Sequence, residues 1–311
     1  MNFTKKKILV VLGGNSRERK ISLITGQACY KSLKKLGYKV DKFDPQKKMF
    51  NLINKETTDI IFNALHGKEG EDGLAQSYFE YLRIPYTHSG VISSINAMDK
   101  EISKNIFLKN NILTPKFFII NNKNYQTKLL PLLIKKNNIK FPIIVKPSNE
   151  GSSIGVKICK SIIDLKKTSK ILIKKYKNLI FEQFISGKEI QVAVLNNRAM
   201  GAIELRPKRN FYDYKAKYLK SSKTKHVMPA SINQKKYKEI LKIAEKIHKI
   251  FNCRGVTRTD FKFYKNRFYV LEINTQPGMT SLSLVPEIAK YKKISFDQLI
   301  KKLILDASIN K

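Results

Sequence analysis

The feature that most constrains the fold is the alternation of strand and helix patterns over the first hundred residues. An apolar run over residues 8–12 ends at Gly13-Gly14, and apolar residues then recur at helical spacing until Gly37. Strand patterns at 40–43, 60–65 and 85–87 and helical patterns at 74–82 and 91–98 follow. Strands that alternate with helices predict a parallel sheet covered by helices. We therefore expect residues 1–100 to form an α/β domain.

Past this point the pattern changes to short strands with fewer helices, which predicts an α+β arrangement. Two alternating segments meet at Asn196-Asn197, a dipeptide typical of an antiparallel hairpin. The polar stretch 206–226 lacks periodicity and is too long for a simple connection, which is typical of a functional lid or a disordered segment. We expect a central domain over 101–184 and a C-terminal domain over 185–311.

Charge is the strongest compositional signal, because 61 Lys and Arg against 24 Asp and Glu leave a net charge of +37. Such an excess raises the question of a nucleic-acid partner. The basic residues are spread along the whole chain, and only nine are Arg, the residue that base and phosphate recognition favours. We expect a diffuse lysine surface and no nucleic-acid partner. A basic nucleic-acid-binding protein stays open as the alternative from another class.

The lengths of the apolar runs and the spacing of the cysteines indicate the cellular compartment. Every apolar run is far shorter than the ~20 residues that span a bilayer, so no membrane insertion is expected. The run after Lys5-Lys6-Lys7 is also too short for a signal peptide and has no cleavage site. Cys29, Cys159 and Cys253 form no Cys-x-x-Cys pair, which argues against disulfides and thiolate metal sites. We expect a cytoplasmic protein.

Three oxygen-bearing side chains lie at facing ends of two predicted strands. Asp260 begins one strand and Glu272 ends the next, across the turn at Lys265-Asn266. In an antiparallel pair these ends lie opposite each other, and the two-residue period puts Asn274 on the same face as Glu272. Such oxygen ligands suit Mg²⁺ whose shell is completed by nucleotide phosphates. The pattern predicts a magnesium site, and an ordinary surface cluster is the alternative.

The segment from Lys146 to Gly155 is a lysine at a strand end followed by a loop of small, hydroxyl-rich residues. Backbone N–H groups and hydroxyls of such a loop can bind phosphate, and glycine permits close approach. The G-x-x-x-x-G-K-[ST] spacing is absent, so a P-loop NTPase is excluded. A flexible hairpin tip is the alternative interpretation.

Two glycine-punctuated turns follow strands of the first domain, at the carboxyl edge where ligands bind in such sheets. Glu18 comes after Gly13-Gly14 at the start of a helix, where a carboxylate can simply complement the helix dipole. His66-Gly67 opens the second turn, and there a histidine satisfied within the turn is the alternative. The G-x-G-x-x-G spacing is missing, so dinucleotide binding is only weakly indicated.

Taken together and in this order, these segments resemble the D-alanine:D-alanine ligase family of the ATP-grasp superfamily. The matching motifs lie at residues 12–14, 64–67, 70–73, 98–100, 145–148, 150–153, 211–214 and 216–218, and at Asn274 with 277–281. The resemblance implies a three-domain ATP-grasp fold, α/β and α+β, with ATP held between the central and C-terminal domains. It also implies ATP-dependent joining of two D-alanines, through a D-alanyl phosphate, for peptidoglycan precursor synthesis.

The resemblance assigns residues to the reacting groups. Glu18 would face the amino group of the first D-alanine, and Ser152 and Tyr218 would join it in a hydrogen-bonded set that closes the Gly/Ser loop and the lid 206–226. Arg258 and the backbone N–H of Gly278 would stabilise the oxyanion. Contacts to phosphate and substrate would come from His66, Lys217 and Ser283.

The resemblance also assigns the nucleotide and metal contacts. The residues that would bind ATP are Lys100, Lys146 and Ser153 at the phosphates, Glu182, Phe184 and Ile185 at the adenine hinge, and Glu189 at the ribose. Two Mg²⁺ or Mn²⁺ ions would be held by Asp260, Glu272 and Asn274. A homodimer is implied as well.

The departures from the family pattern are modest. Phe184 stands where Trp is common, Lys20 and Lys215 stand where acids are frequent, and Gln276 replaces a Ser. None of them removes a catalytic group. A sister ligase that joins D-alanine to D-lactate is the close alternative, and Tyr218 argues against it because a Tyr here accompanies dipeptide formation in the family.

Overall fold

The computed structural model describes residues 6–207, 224–280 and 283–309. Its strands are β1 Lys7–Val11, β2 Lys39–Phe43, β3 Ile60–Asn63, β4 Phe117–Asn121, β5 Ile143–Pro147, β6 Lys157–Cys159, β7 Asn178–Gln183, β8 Lys188–Leu195, β9 Arg198–Arg206, β10 Lys225–Val227, β11 Val256–Tyr264 and β12 Arg267–Asn274. Its α-helices are α1 Arg19–Lys35, α2 Leu74–Tyr81, α3 Val91–Met98, α4 Lys100–Lys109, α5 Leu130–Lys136, α6 Ile162–Ile173, α7 Gln234–Ile250, α8 Leu284–Tyr291 and α9 Phe296–Asp306. Short 3₁₀ turns lie at Phe50–Leu52 and Thr127–Leu129.

The first sheet is parallel, in the order β2-β1-β3, which confirms the prediction from the alternating pattern. Helix α1 packs closely onto the strand ends, because a Cβ atom at Gly26 would lie 2.4 Å from the Cβ of Leu12. The strand predicted at 85–87 is reduced to single bridges from Tyr86 to Ile61 and to Ser308. The carboxyl ends of the three strands therefore stand together at one edge of the sheet.

The second and third sheets are antiparallel. The second has the order β4-β7-β5-β6. The third has the order β10-β9-β8-β11-β12. Its two hairpins turn at Asn196-Asn197 and Lys265-Asn266, and all four residues have positive φ, the conformation of a two-residue type I′ turn.

One hydrophobic core joins the first sheet to the C-terminal part of the chain. Buried residues of β1 and β3, such as Val10 and Phe62, belong to the same cluster as Ile203 of β9 and Ile300 of α9. Arg254 adds polar contacts across this junction, since its Nε donates to the carbonyl of His88 at 2.6 Å and Nη1 donates to Ser308 at 2.7 Å. This packing brings the carboxyl edge of the first sheet next to β11 and β12.

Within the described ranges, the helices are all too short or too polar to cross a bilayer.

Two buried histidines make stability depend on pH. Burial lowers the pKa of His88 to about 3 and that of His248 to about 4. Each ring is neutral in the folded protein but takes up a proton in the unfolded chain below about pH 6.5. Below this pH the unfolded state binds more protons than the folded state. The contribution of the two neutral histidines to the free energy of unfolding is therefore present above pH 6.5 and is lost as the pH falls.

We expect the free energy of unfolding to fall by about 2 kcal/mol per histidine between pH 7 and pH 5. Urea unfolding followed by circular dichroism at the two pH values measures the change. His88→Gln should remove its share of the difference, and equal pH dependence of variant and parent would contradict the prediction.

Candidate active site

Two adjoining cavities lie along the third sheet, the larger beside the edge of the first sheet and the smaller beside the second sheet. The larger has a volume of about 330 Å³ and the smaller about 80 Å³, and Lys100 and Glu272 line both. The predicted residues in the larger cavity are Glu18, His66, Ser152, Arg258, Asn274, Gly278 and Ser283. Those in the smaller one are Lys146, Ser153, Glu182, Phe184, Ile185, Glu189 and Asp260. The predicted Lys217 and Tyr218, and most of the predicted lid, lie outside the described residues.

Glu18 connects the first sheet to the Gly/Ser loop. Its side chain is 6% exposed and makes no capping hydrogen bond, although the residue immediately precedes α1. Instead Oε2 accepts a hydrogen bond from the Ser152 hydroxyl at 2.6 Å. A Cβ atom at Gly151 would lie 2.6 Å from Oε1, so a side chain there would require the Glu18 carboxylate to move. A buried carboxylate with a hydroxyl partner thus faces the larger cavity.

His66 is buried with both ring nitrogens beside protein partners. Nδ1 lies 2.9 Å from Oε1 of Glu71 and Nε2 lies 3.1 Å from the hydroxyl of Thr25. Thr25 belongs to α1, so the imidazole joins the turn after β3 to the helix. The ring shapes and stiffens the cavity wall.

The facing ends of β11 and β12 meet as the sequence predicts. Asp260 is paired in register with Glu272, and Arg258 with Asn274. The structure also shows a contact that the sequence did not reveal: the Arg258 guanidinium donates two hydrogen bonds to the Asp260 carboxylate. Nε lies 2.7 Å from Oδ1 and Nη2 lies 3.0 Å from Oδ2. Arg258 and Asp260 are two residues apart and so share a face of the strand. The fork holds the guanidinium rigidly at the cavity.

The oxygen donors here have the chemistry that a divalent cation requires. Two carboxylates, Asp260 and Glu272, lie opposite each other, and the Asn274 amide oxygen accepts from the backbone N–H of Gln276 at 2.7 Å. In the part of the chain that the structure describes, His, Cys, Asp and Glu do not form a group of three able to hold a metal. The candidate ligand set here is instead two carboxylates and an amide, and hard oxygen donors of this kind fit Mg²⁺.

Gln276 explains one departure from the family pattern. Its buried side chain accepts from Nδ2 of Asn63 at 2.8 Å and donates to the carbonyl of Leu65. Asn63 and Leu65 lie at the end of β3. The longer side chain thus ties the loop after β12 to the first sheet, a connection that a Ser is too short to make.

Lysines at and beside the smaller cavity form a buried ionic network. Nζ of Lys146 lies 3.1 Å from Oε1 of Glu182, and Nζ of Lys104 lies 2.8 Å from Oε2. Lys100 donates to the carbonyl of Glu150 at 2.7 Å and lies 3.9 Å from Glu272. Although burial opposes ionisation of Glu182, the two ammonium groups hold its pKa below its ordinary value.

Sequence reasoning missed Lys104, whose side chain is fully buried. Burial lowers its pKa to about 8, against the attraction of Glu182. Lys104 follows Lys100 by four residues in α4, and that spacing places both on one helix face. This four-residue spacing is the signal that would have found it.

Glu189 also has a partner that the sequence did not indicate. Its Oε2 lies 2.9 Å from Nζ of Lys262, and the two residues are directly opposite each other on β8 and β11. Both side chains are largely buried, and both line the smaller cavity. The carboxylate assigned to the ribose is thus already bound to an internal cation.

Described residues after β12 line one wall of the larger cavity. The Ser283 hydroxyl accepts from the backbone N–H of Thr280 at 2.9 Å and lies 2.8 Å from the Thr280 hydroxyl. A Cβ atom at Gly278 would lie 2.9 Å from the Ser283 hydroxyl, so a side chain at 278 would disturb this contact. Gly278 and Ser283 are therefore neighbours at the cavity wall.

Comparison with known proteins places this geometry in a family. A family model described as "D-ala D-ala ligase C-terminus" matches residues 106–305. The chain is 55% identical to the D-alanine–D-alanine ligase of Pelagibacter ubique over 306 residues, 98% of this chain and 99% of the relative. It is 43% identical to the corresponding ligase of Rickettsia typhi over 307 residues, 98% and 92% of the two chains.

Solved structures agree with the sequence matches. The crystal structure of the D-alanine–D-alanine ligase from Bacillus anthracis superposes with a TM-score of 0.86 at 31% identity, covering 97% of each chain. The structure of the same ligase complexed with ATP gives a TM-score of 0.83 at 28% identity, again over 97% of each chain.

Proposed function

The chain belongs to the D-alanine–D-alanine ligase family, and from that premise we propose that it joins two D-alanines to D-alanyl-D-alanine with consumption of ATP. The product supplies peptidoglycan precursor synthesis. The observation that carries the proposal is the meeting of two cavities at Lys100 and Glu272, one with the residues assigned to substrate and the other with those assigned to nucleotide. The fold is the α/β and α+β architecture of the ATP-grasp ligases.

The reaction must activate a carboxylate, which is a poor electrophile, before an amine can attack it. ATP phosphorylates the first D-alanine to an acyl phosphate, and the amine of the second then displaces phosphate. The tetrahedral oxyanion is bound by Arg258, already oriented by Asp260, and by the backbone N–H of Gly278. Preorganised donors of this kind are worth about 3–4 kcal/mol each in comparable sites.

Glu18 binds the ammonium group of the first D-alanine. The carboxylate is buried and its Oε2 is oriented by Ser152. A buried carboxylate attracts a cationic group strongly because little water screens it. His66 supports the same wall through Thr25 and Glu71. The family resemblance assigns the remaining substrate contacts to Ser283 and to Lys217 and Tyr218, the last two of which lie outside the described residues.

We assign the nucleotide site to the region around the smaller cavity, where Lys100, Lys146 and the Ser153 loop would contact the phosphates of ATP. Asp260, Glu272 and Asn274 would hold two Mg²⁺ or Mn²⁺ ions, which would supply neutralisation of phosphate charge. Asp260 also orients the guanidinium of Arg258, which we assign to the oxyanion. Adenine packs at Glu182, Phe184 and Ile185.

Three further properties belong to this proposal. The domains span 1–100, 101–184 and 185–311, which is supported by one sheet in each range. The protein is a homodimer. It works in the cytoplasm, where ATP is available, and its three cysteines are all free and buried.

We expect phosphate release from ATP and Mg²⁺ to depend on D-alanine, with D-alanyl-D-alanine identified by mass. Glu18→Gln should raise the KM for D-alanine about tenfold, because it removes the charge that holds the ammonium group. A second assay adds D-lactate, and a depsipeptide product there would favour the sister ligase. Phosphate release that is independent of D-alanine would contradict the proposal.

A further inference from the structure

An ion pair between Glu189 and Lys262 lies in the nucleotide cavity. Nζ of Lys262 is 2.9 Å from Oε2 of Glu189, and the two side chains are 16% and 10% exposed. The pair is enforced by the backbone, since the residues face each other across β8 and β11. On the same face of β11, a second ion pair joins Arg258 to Asp260, two residues along the same strand.

The pair limits what Glu189 can offer to a ribose. A carboxylate has two oxygens, and adjacent hydroxyls of a ribose are best bound when each hydroxyl donates to a different oxygen. Here Oε2 already contacts the Lys262 ammonium, which competes with a hydroxyl for that oxygen and itself offers no acceptor. The positive charge also weakens the carboxylate as an acceptor, and this effect is strong in a site with little water.

We propose that Lys262 is a specificity-determining residue of the nucleotide site: it occupies one oxygen of Glu189, so that the protein uses ATP and 2′-deoxyATP with similar efficiency. The inference rests on the proposed function, in which Glu189 binds the ribose. It names a further substrate, 2′-deoxyATP, that the ribose contact alone would disfavour.

The test compares kcat/KM for ATP with kcat/KM for 2′-deoxyATP in D-alanine-dependent phosphate release. For the parent protein we expect a ratio below about threefold. In Lys262→Met, which keeps the length of the side chain but not its charge, both oxygens become available and the ratio should rise to about tenfold or more. Lys262→Arg should retain the low ratio.

Lys188→Met is the matched control. Lys188 lies on the same sheet, 3.5 Å from Glu204, but it lines neither of the two cavities. Its replacement should leave the ratio unchanged. A parent ratio above about tenfold, or an unchanged ratio in Lys262→Met, overturns the assignment of Lys262.

Glu189→Ala separates this inference from the proposed function. If that variant leaves the KM for ATP unchanged, the ribose role of Glu189 fails. If it raises the KM while Lys262→Met leaves the ratio unchanged, only the inference about Lys262 fails. Absence of D-alanine-dependent phosphate release in the parent protein would contradict the proposed function itself.

Discussion

Replacing Lys104 by methionine is expected to lower the free energy of unfolding by about 3–5 kcal/mol, the usual cost of breaking a buried ion pair. The Lys104 ammonium lies 2.8 Å from Oε2 of Glu182 and donates to the Thr114 hydroxyl at 2.6 Å. Its removal leaves a carboxylate that is 1% exposed with a single cation, Lys146. Glu182 should then bind Lys146 more tightly and raise the KM for ATP.

Chemical unfolding of the parent and of Lys104→Met measures the loss. Lys104→Met combined with Glu182→Gln removes both charges, so it should be more stable than the single variant. Lys109→Met is the matched control, because Lys109 is exposed in the last turn of the same helix. A double variant no more stable than Lys104→Met would show that the charge of Glu182 is not the cause.

Replacing Arg258 by lysine is expected to lower kcat by about 10²–10³. Lysine keeps the charge, but it lacks the planar fork that binds both oxygens of Asp260 and leaves further N–H donors for the reacting group. The loss should fall on kcat, because the oxyanion exists only after the amine attacks. The KM for ATP should change little.

Steady-state kinetics with saturating D-alanine distinguish the two parameters. Arg267→Lys is the control, since Arg267 is exposed at the start of β12 on the same sheet. Unchanged thermal stability in Arg258→Lys would exclude misfolding as the cause. A kcat within about threefold of the parent would contradict the role of Arg258 in binding the oxyanion.

Much of the local structure follows from the order of residues alone. The parallel first sheet, the hairpins at Asn196-Asn197 and Lys265-Asn266, and the pairing of Asp260 with Glu272 are all confirmed. These features depend on periodicity and on turn chemistry, which act over a few residues. The strand predicted at 85–87 was wrong as a strand, because only single bridges to Ile61 and Ser308 form there.

Those candidate site residues that belong to sequence motifs could be predicted. Glu18, Ser152 and the Gly/Ser loop were all predicted in this way. Their hydrogen bond joins residues 134 positions apart, a distance in sequence that no local pattern encodes. The departure at Gln276 could be seen in the sequence, but its contacts with Asn63 and Leu65 could not.

The sequence by itself determined the family and most of the strand and helix patterns, and it supplied the candidate site residues, because motifs and periodicity are properties of neighbouring residues. Only the tertiary structure decided the partners of those residues. Lys104 meets Glu182, Lys262 meets Glu189 and Arg258 grips Asp260, since sheet register and helix packing set the distances between their charged groups. Electrostatic energy depends on those distances and on burial, neither of which is written in a linear order of residues.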